Sequence, residues 1–195
     1  MASFNIHLAV AKRYSEKQNK IKDIEEFYRG IIEPDLVENK EKSHYSGSRN
    51  KQDILEYLEN KILLYDFLKS ENMDTDYKKG VFLHLITDYL FFNNFFDKEY
   101  LKSTPYEEFC KDLYYSYRKT DSYLEEKYKL EYQNFIEKIN DNIRRGREEK
   151  KAFDVDRENI LLFSKLDNFI EYVSNIDLEK YKDKIIKNEK NILPD

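Results

Sequence analysis

Glycine occurs only 4 times and proline only 3 times in 195 residues, and this scarcity constrains the fold more than any other feature of the chain. Hairpin turns draw on glycine for positive φ and on proline for a preset φ, so a chain poor in both has few places to reverse a strand. Helices need neither. The expectation is an all-α fold, an irregular multi-helix bundle of about seven helices. The length suits one domain over residues 1–195 with a core of its own. Rings are abundant, 17 Tyr and 13 Phe without a Trp, and many are expected to fill gaps between helices while the tyrosine hydroxyls stay wet.

The formal charge of -5 comes from 34 basic and 39 acidic residues spread almost evenly along the chain. No strong cationic field results, which argues against nucleic acid as the main partner. Cys110 is alone, so no disulfide forms within the chain, and its default role is core filling. The opening Met1-Ala-Ser-Phe-Asn-Ile is not a basic segment followed by an apolar run, so no secretory signal is expected. The apolar stretches fall short of a membrane span, and a cytoplasmic location is the simplest expectation.

Apolar periodicity places the helices. Ile6, Val10 and Tyr14 mark a first one around His7 to Tyr14, and a second covers Ile21 to Tyr28 and stops at Gly30. Pro34 then forbids continuation, and Ser43, Ser46, Gly47 and Ser48 give the residues up to Asn50 the chemistry of a loop. Ile54, Leu58, Ile62, Tyr65 and Leu68 describe an amphipathic helix from Gln52 to Lys69. Asp74-Thr-Asp76 caps the next, which runs through His84 to about Phe96 and is apolar on most faces, as a central helix is. After Pro105 come helices from Tyr106 to Tyr117 and from about Ser122 to Arg144, the latter carrying Tyr128, Tyr132, Phe135, Ile139 and Ile143. Lys150 to Val155 reads as a connector. Helices from Arg157 to Val173 and from Asp177 to Ile192 complete the chain.

Within the central helix, His84 and Asp88 stand four residues apart on one face, with Cβ atoms about 6 Å apart. An imidazole and a carboxylate held that way can grip a divalent cation. Alone, such a pair is more often a hydrogen-bonded helix pair. Burying an unpaired Asp88 in an apolar helix is expensive, however, and calls for compensation. The chain has only 3 histidines, and the other two also sit near an aspartate or a helix start: His44 follows Asp35, and His7 lies in the first helix. Asp35, His44, His84 and Asp88 would give one ion two nitrogens and two carboxylates, with Asp35 and His44 supplied by the loop. His7 could hold a second ion bridged by Asp88, and phosphate esters are the natural electrophile for such a pair. The plain alternatives are a surface histidine for His7 and a turn residue for Asp35. Ser43 and Thr87 could orient ligands, or merely pack, and Tyr45 and Tyr89 could reach a leaving group. A Ser-His-Asp nucleophile finds no small-residue turn to sit on, and the chain holds no adjacent His-Asp dipeptide for that type of phosphohydrolase.

His7 with Leu8-Ala-Val-Ala-Lys12 after it, Gly30-x-x-x-Pro-Asp35, Ser43-His44 and His84-Leu-Ile-Thr-Asp88, in that order, resemble the zinc-dependent phospholipase C family, closest to its small bacterial members. The resemblance is anchored over residues 4 to 96, and its most specific piece is His-Leu-Ile-Thr-Asp. It implies the all-helical phospholipase C/P1 nuclease fold and a zinc cluster that activates water against a phosphodiester. It implies that Asp35, His44, His84 and Asp88 hold one zinc and that Asp88 bridges to a second at His7, with Asp35 and Asp88 as the catalytic carboxylates. Asn94 stands where family members carry another histidine, no histidine remains for the third site, and the tryptophan that completes the second site in secreted relatives is absent. Glu99 or Glu126 could replace a lost ligand.

The function expected is therefore hydrolysis of a phosphoric ester, a small molecule or a lipid headgroup, with one or two Zn2+ ions, or Mn2+ or Fe in their place. The alternative is a catalytically silent helical protein with a structural or partner-binding metal.

Overall fold

The computed structural model describes residues 2–37, 39–45, 64–130 and 157–188, and these are helical, with no strand among them. Helix α1 is Phe4–Lys17, α2 Ile24–Leu36, α3 the single turn Lys40–Ser43, and α4 Leu64–Ser70. Helix α5, Asp76–Leu90, runs directly into a π-helical turn, Phe91–Phe95. Then follow α6 Lys98–Ser103, α7 Tyr106–Tyr128, α8 Phe163–Ser174 and α9 Leu178–Asn188. Their buried apolar residues form one cluster reaching from Ala2 to Ile185. Among the described residues no helix is long and apolar enough to cross a membrane.

Helix α5 is central, as its composition requires. Thr75 caps it by accepting the Lys78 amide at 3.2 Å, and every residue from Gly80 to Asp88 is buried. Its most extensive neighbour is α2. The two are locked at their starts by Asp76, whose Oδ2 accepts the backbone N–H groups of Lys22 at 2.8 Å and Asp23 at 2.7 Å. Asp23 in turn caps α2 through the Glu26 amide at 3.1 Å.

Further along, the helices cross backbone to backbone. A Cβ on Gly30 would stand 2.0 Å from the Tyr77 carbonyl oxygen, and one on Gly80 would stand 2.2 Å from the Phe27 carbonyl oxygen and 3.1 Å from Gly30 Cα. Neither glycine has a positive φ. They are needed for closeness, not for conformation.

This crossing overturns two expectations. Gly30 is not a helix stop, and Pro34 does not end α2, which runs through both to Leu36. Proline in a helix interior costs about 3 kcal/mol, chiefly through the lost bond to the fourth carbonyl back. Here the loss falls in the last turn, while Phe27, Gly30, Ile31, Ile32 and Pro34 gain burial. Asp35 therefore sits on a helix, not in a loop.

Other boundaries shift as well. Tyr106–Tyr128 is one helix where two were expected: Thr120 returns its hydroxyl to the Ser116 carbonyl at 3.0 Å, and the chain turns only at Lys129, with φ 49°. Ser122 thus belongs to a helix that ends at Tyr128, and the expected continuation to Arg144 and the Lys150–Val155 connector lie outside the described residues. Helix α8 begins at Phe163 rather than Arg157, because the preceding stretch is spent on α7. Arg157 pairs with Glu108 at 3.1 Å and Asp112 at 2.8 Å, and the Ile160 amide donates to Ser116 Oγ at 2.9 Å. Of the helix expected from Gln52 to Lys69, Leu64–Ser70 is described and the rest lies outside, as do Ser46, Gly47, Ser48 and the end of the tail expected to reach Ile192.

Helix α1 is the third element of the central group, packed against α2, α5, α7 and α8. Asn5 to Ala11 are all buried, and Ala9 and Ala11 keep the neighbouring helices close. Arg13 and Lys17 on its outer end reach Glu171 of α8. On the far side, Asp167 of α8 accepts from Tyr123, from Lys127 at 2.5 Å and from Tyr128 at 2.9 Å, which ties α8 to the end of α7.

The crossing predicts that Gly30→Ala and Gly80→Ala destabilise the fold by about 1–3 kcal/mol, against the ~1 kcal/mol that helix propensity alone would return. Urea unfolding measures the sign directly, and a gain in stability for either variant contradicts the crossing.

Candidate metal centre

The three histidines and two of the aspartates of the chain meet at the centre of this helix group. His7 comes from the buried face of α1, Asp35 from the last turn of α2, His44 from the residue after α3, and His84 and Asp88 from successive turns of α5. His44 Nε2 lies 3.0 Å from His84 Nε2, 3.5 Å from Asp35 Oδ1 and 3.6 Å from Asp88 Oδ2. His7 Nε2 lies 3.3 Å from Asp88 Oδ1 and 4.0 Å from Asp35 Oδ2, and His84 Nε2 lies 3.9 Å from Asp88 Oδ2. The set expected from the sequence is thus brought together in full, with two residues, Asp35 and His7, on helices that press directly on α5.

The fold fixes which nitrogen each ring presents. His84 Nδ1 lies 2.8 Å from the Ile31 carbonyl oxygen. A carbonyl only accepts, so Nδ1 carries the proton and Nε2 presents its lone pair inward. Ile31 O reaches the ring because α2 crosses α5 so closely at the neighbouring glycine. His44 is held the same way through Ser43, whose hydroxyl donates to the Pro34 carbonyl at 2.8 Å and whose oxygen accepts His44 Nδ1–H at 2.9 Å. Ser43 therefore orients a candidate ligand, as its position in the sequence suggested. Thr87 does not: its hydroxyl returns to the Leu83 carbonyl at 2.7 Å within α5.

Two imidazole lone pairs facing each other across 3.0 Å repel unless a proton or a cation lies between them. The surroundings favour positive charge. Asp88 is fully buried, and its Oδ2 has no hydrogen-bond partner while its Oδ1 accepts the Ala2 N–H at 2.5 Å. His7, 2% exposed, stacks on His84 with ring centroids 3.9 Å apart, and neither of its ring nitrogens has a hydrogen-bond partner. Unpartnered buried polar atoms are rare and costly. Here several converge on one point, and all are atoms that ligate metals.

Burial sets the protonation states against this background. It drives the His84 pKa down to about 3, helped by the other two histidines and opposed by Asp35 and Asp88. For Asp35 and Asp88 burial alone would raise the pKa, but the neighbouring histidines outweigh it for Asp35, His44 foremost, and the charge of the chain N-terminus and then His7 do so for Asp88, so that both carboxyls fall below the usual carboxylate range. Neutral His84 and ionised aspartates are the forms that bind a cation.

Asp35 alone among the five keeps an appreciable exposure, its side chain 12% accessible against 2% or less for the others. Asp35 is thus the member of the cluster nearest solvent. Tyr117 of α7 is a neighbour that the sequence reading passed over: its phenol is buried, its ring lies 6.3 Å from Phe91, and burial first and then the charge of Asp88 push its pKa well up. Its only sequence signal was a place on the buried stripe of a tyrosine-rich helix.

The other candidates lie elsewhere. Asn94 is exposed on the π-helical turn, Glu99 is 82% exposed and paired with Lys102 at 2.7 Å, and Glu126 is exposed, so none of these three replaces a ligand. Tyr45 packs its ring on Phe67 at 5.3 Å, Tyr89 lies beside Tyr181 of α9, and Cys110 packs against the apolar core.

The sign of the His84 shift gives a pH dependence. Below pH 6.5 the unfolded chain takes up a proton at His84 that the fold refuses until about pH 3, so folding stability falls on acidification through that window. The aspartates add to the loss only in stronger acid, below their ordinary value of 3.8. In chelator, the unfolding free energy of the native sequence should fall by up to ~1.4 kcal/mol per pH unit between pH 6 and pH 4, and less steeply in His84→Gln. Equal slopes for the two proteins would remove His84 from the account.

No family model, no curated protein and no solved structure matches this chain.

Proposed function

We propose that the chain is a metal-dependent phosphoric ester hydrolase, with His7, His44, His84 and Asp88 holding the cation and Asp35 on the side nearest solvent. The observation that carries the metal is the pair of inward lone pairs on His44 and His84, with both Nδ1–H groups committed outward. The ester is supported by the resemblance to the zinc-dependent phospholipase C family and by the chemistry of the donor set. A divalent ion there supplies a Lewis acid for a phosphoryl oxygen and a lowered pKa for water. Zn2+ fits imidazole and carboxylate donors, and Mn2+ and Fe2+ accept the same atoms.

The two aspartates divide the work unequally in this reading. Asp88 is sealed in and held by the Ala2 N–H, which suits a fixed ligand. Asp35 is the more accessible carboxylate, and it is the group to take the proton from an attacking water as the new phosphorus–oxygen bond forms and the one to the leaving alcohol breaks, the departing oxygen taking a proton from solvent. His44, braced by Ser43 and the Pro34 carbonyl, would keep its ring fixed as a ligand, and the substrate would be a small phosphate ester or a lipid headgroup reached on the Asp35 side.

A second reading, a silent protein with a structural ion, is favoured by the depth of burial of four of the five side chains. Turnover separates the two. Bis(p-nitrophenyl) phosphate and p-nitrophenyl phosphate should be hydrolysed by protein loaded with Zn2+ or Mn2+ and not by chelated protein. Asp35→Asn should lower kcat by about 10²–10⁴ while the metal content stays near that of the parent. Ser43→Ala should weaken metal binding by about 10–100-fold. Chelation that lowers the Tm, with no turnover on either ester under any metal, replaces the hydrolase with the structural ion.

A further inference from the structure

We infer that the five side chains form a single mononuclear centre, with His7 on the same ion as His44 and His84 and Asp88 not bridging to a second. This rests on reading the cluster as a divalent-cation site and departs from the two-ion arrangement that the family resemblance implies.

Three observations support it. Among the described residues, the groups placed to hold an ion are His7 with Asp35 and His84, and His44 with His84 and Asp88. Both need His84, and His84 has one nitrogen to give, because Nδ1 is spent on the Ile31 carbonyl. One lone pair serves one ion, so the two groups cannot each hold an ion through His84.

The spacing agrees. Bonds of about 2.0–2.2 Å place adjacent donors of one ion about 3.0–3.5 Å apart and opposite donors about 4.2 Å apart. The separations around this centre run from 3.0 Å for His84 and His44 to 4.0 Å for His7 and Asp35. A second ion would have His7 alone, among the described residues of the cluster, as a ligand of its own and would have to share Asp35 or Asp88 with the first. His7 stands near enough to serve the same ion: its ligand atom lies within 4.8 Å of those of both Asp35 and His84.

Charge agrees too. Two ionised carboxylates neutralise one divalent ion, whereas a second would leave two positive charges among residues that are almost wholly buried. His7, His44, His84 and Asp88 would then be the protein donors of the one ion, with Asp35 beside it as the second carboxylate.

The test is a Mn2+ titration of the chelator-stripped full chain, read by native mass spectrometry and electron paramagnetic resonance. One ion per chain at saturation is expected, with an isolated six-line signal and no exchange-coupled spectrum. His7→Ala should weaken that one ion at least tenfold at unchanged helical circular dichroism. Two ions per chain, a coupled spectrum, or a His7→Ala protein that keeps the first ion at parental affinity overturns the inference. If His7→Ala does not fold, the stoichiometry of the native chain decides. No bound Mn2+ or Zn2+ at all removes both this inference and the metal reading beneath it. One bound ion without ester turnover leaves this inference standing and removes only the hydrolase.

Discussion

The approach of two helix backbones at Gly30 and Gly80 is the constraint on which the rest of the molecule depends. With no side chain between them, α2 comes near enough to α5 for a main-chain carbonyl, Ile31 O, to hold an imidazole on the neighbouring helix. The same approach brings the last turn of α2, with Asp35 on it, over the face that carries His84 and Asp88. A larger residue at either glycine would separate the helices and, with them, the donors. The core and the site are therefore one structure, and packing at a point without chemistry of its own sets the geometry of the chemistry.

The cluster is costly to the fold that holds it. Two ionised carboxylates and three imidazoles stand where apolar side chains would pack without penalty. The surrounding helices offset part of this with directed hydrogen bonds: Ser43 and Pro34 for His44, Ile31 for His84, Ala2 for Asp88. The inward atoms of His7 and Asp88 have no such offset. Among the described residues of the central group, the buried polar atoms without a hydrogen-bond partner are gathered in this one cluster.

Much of this was legible in the sequence. A helix through His84 to about Phe96 that is apolar on most faces had to be central, and the i,i+4 spacing of His84 and Asp88 had to put both on one side of it. What stayed hidden was non-local. Gly30 and Pro34 carry strong local stop signals, and only the partner helix makes continuation favourable, so Asp35 was misplaced into a loop. The single helix over Tyr106–Tyr128 was split because its polar middle, Arg118 to Ser122, looks like a connector until Thr120 is seen bonding back along its own axis. The start of α8 was misplaced because Arg157 and Ile160 satisfy helical period while their bonds go to α7. Tyr117 could not be singled out among 17 tyrosines without knowing what faces it.

The π-helical turn after α5 bears on how such a chain could change over generations. A π turn carries one residue more than an α turn, and the extra residue rotates everything beyond it relative to the helix before it. Asn94 lies inside that bulge and points to solvent. A histidine arising there by a single codon change would face water, away from the buried cluster of His7, His44 and His84. Loss of a residue from Phe91–Phe95 would unstack the phenylalanine rings packed around Phe91. The extra residue and the aromatic rings are thus tied together, and neither could be removed without repacking the other.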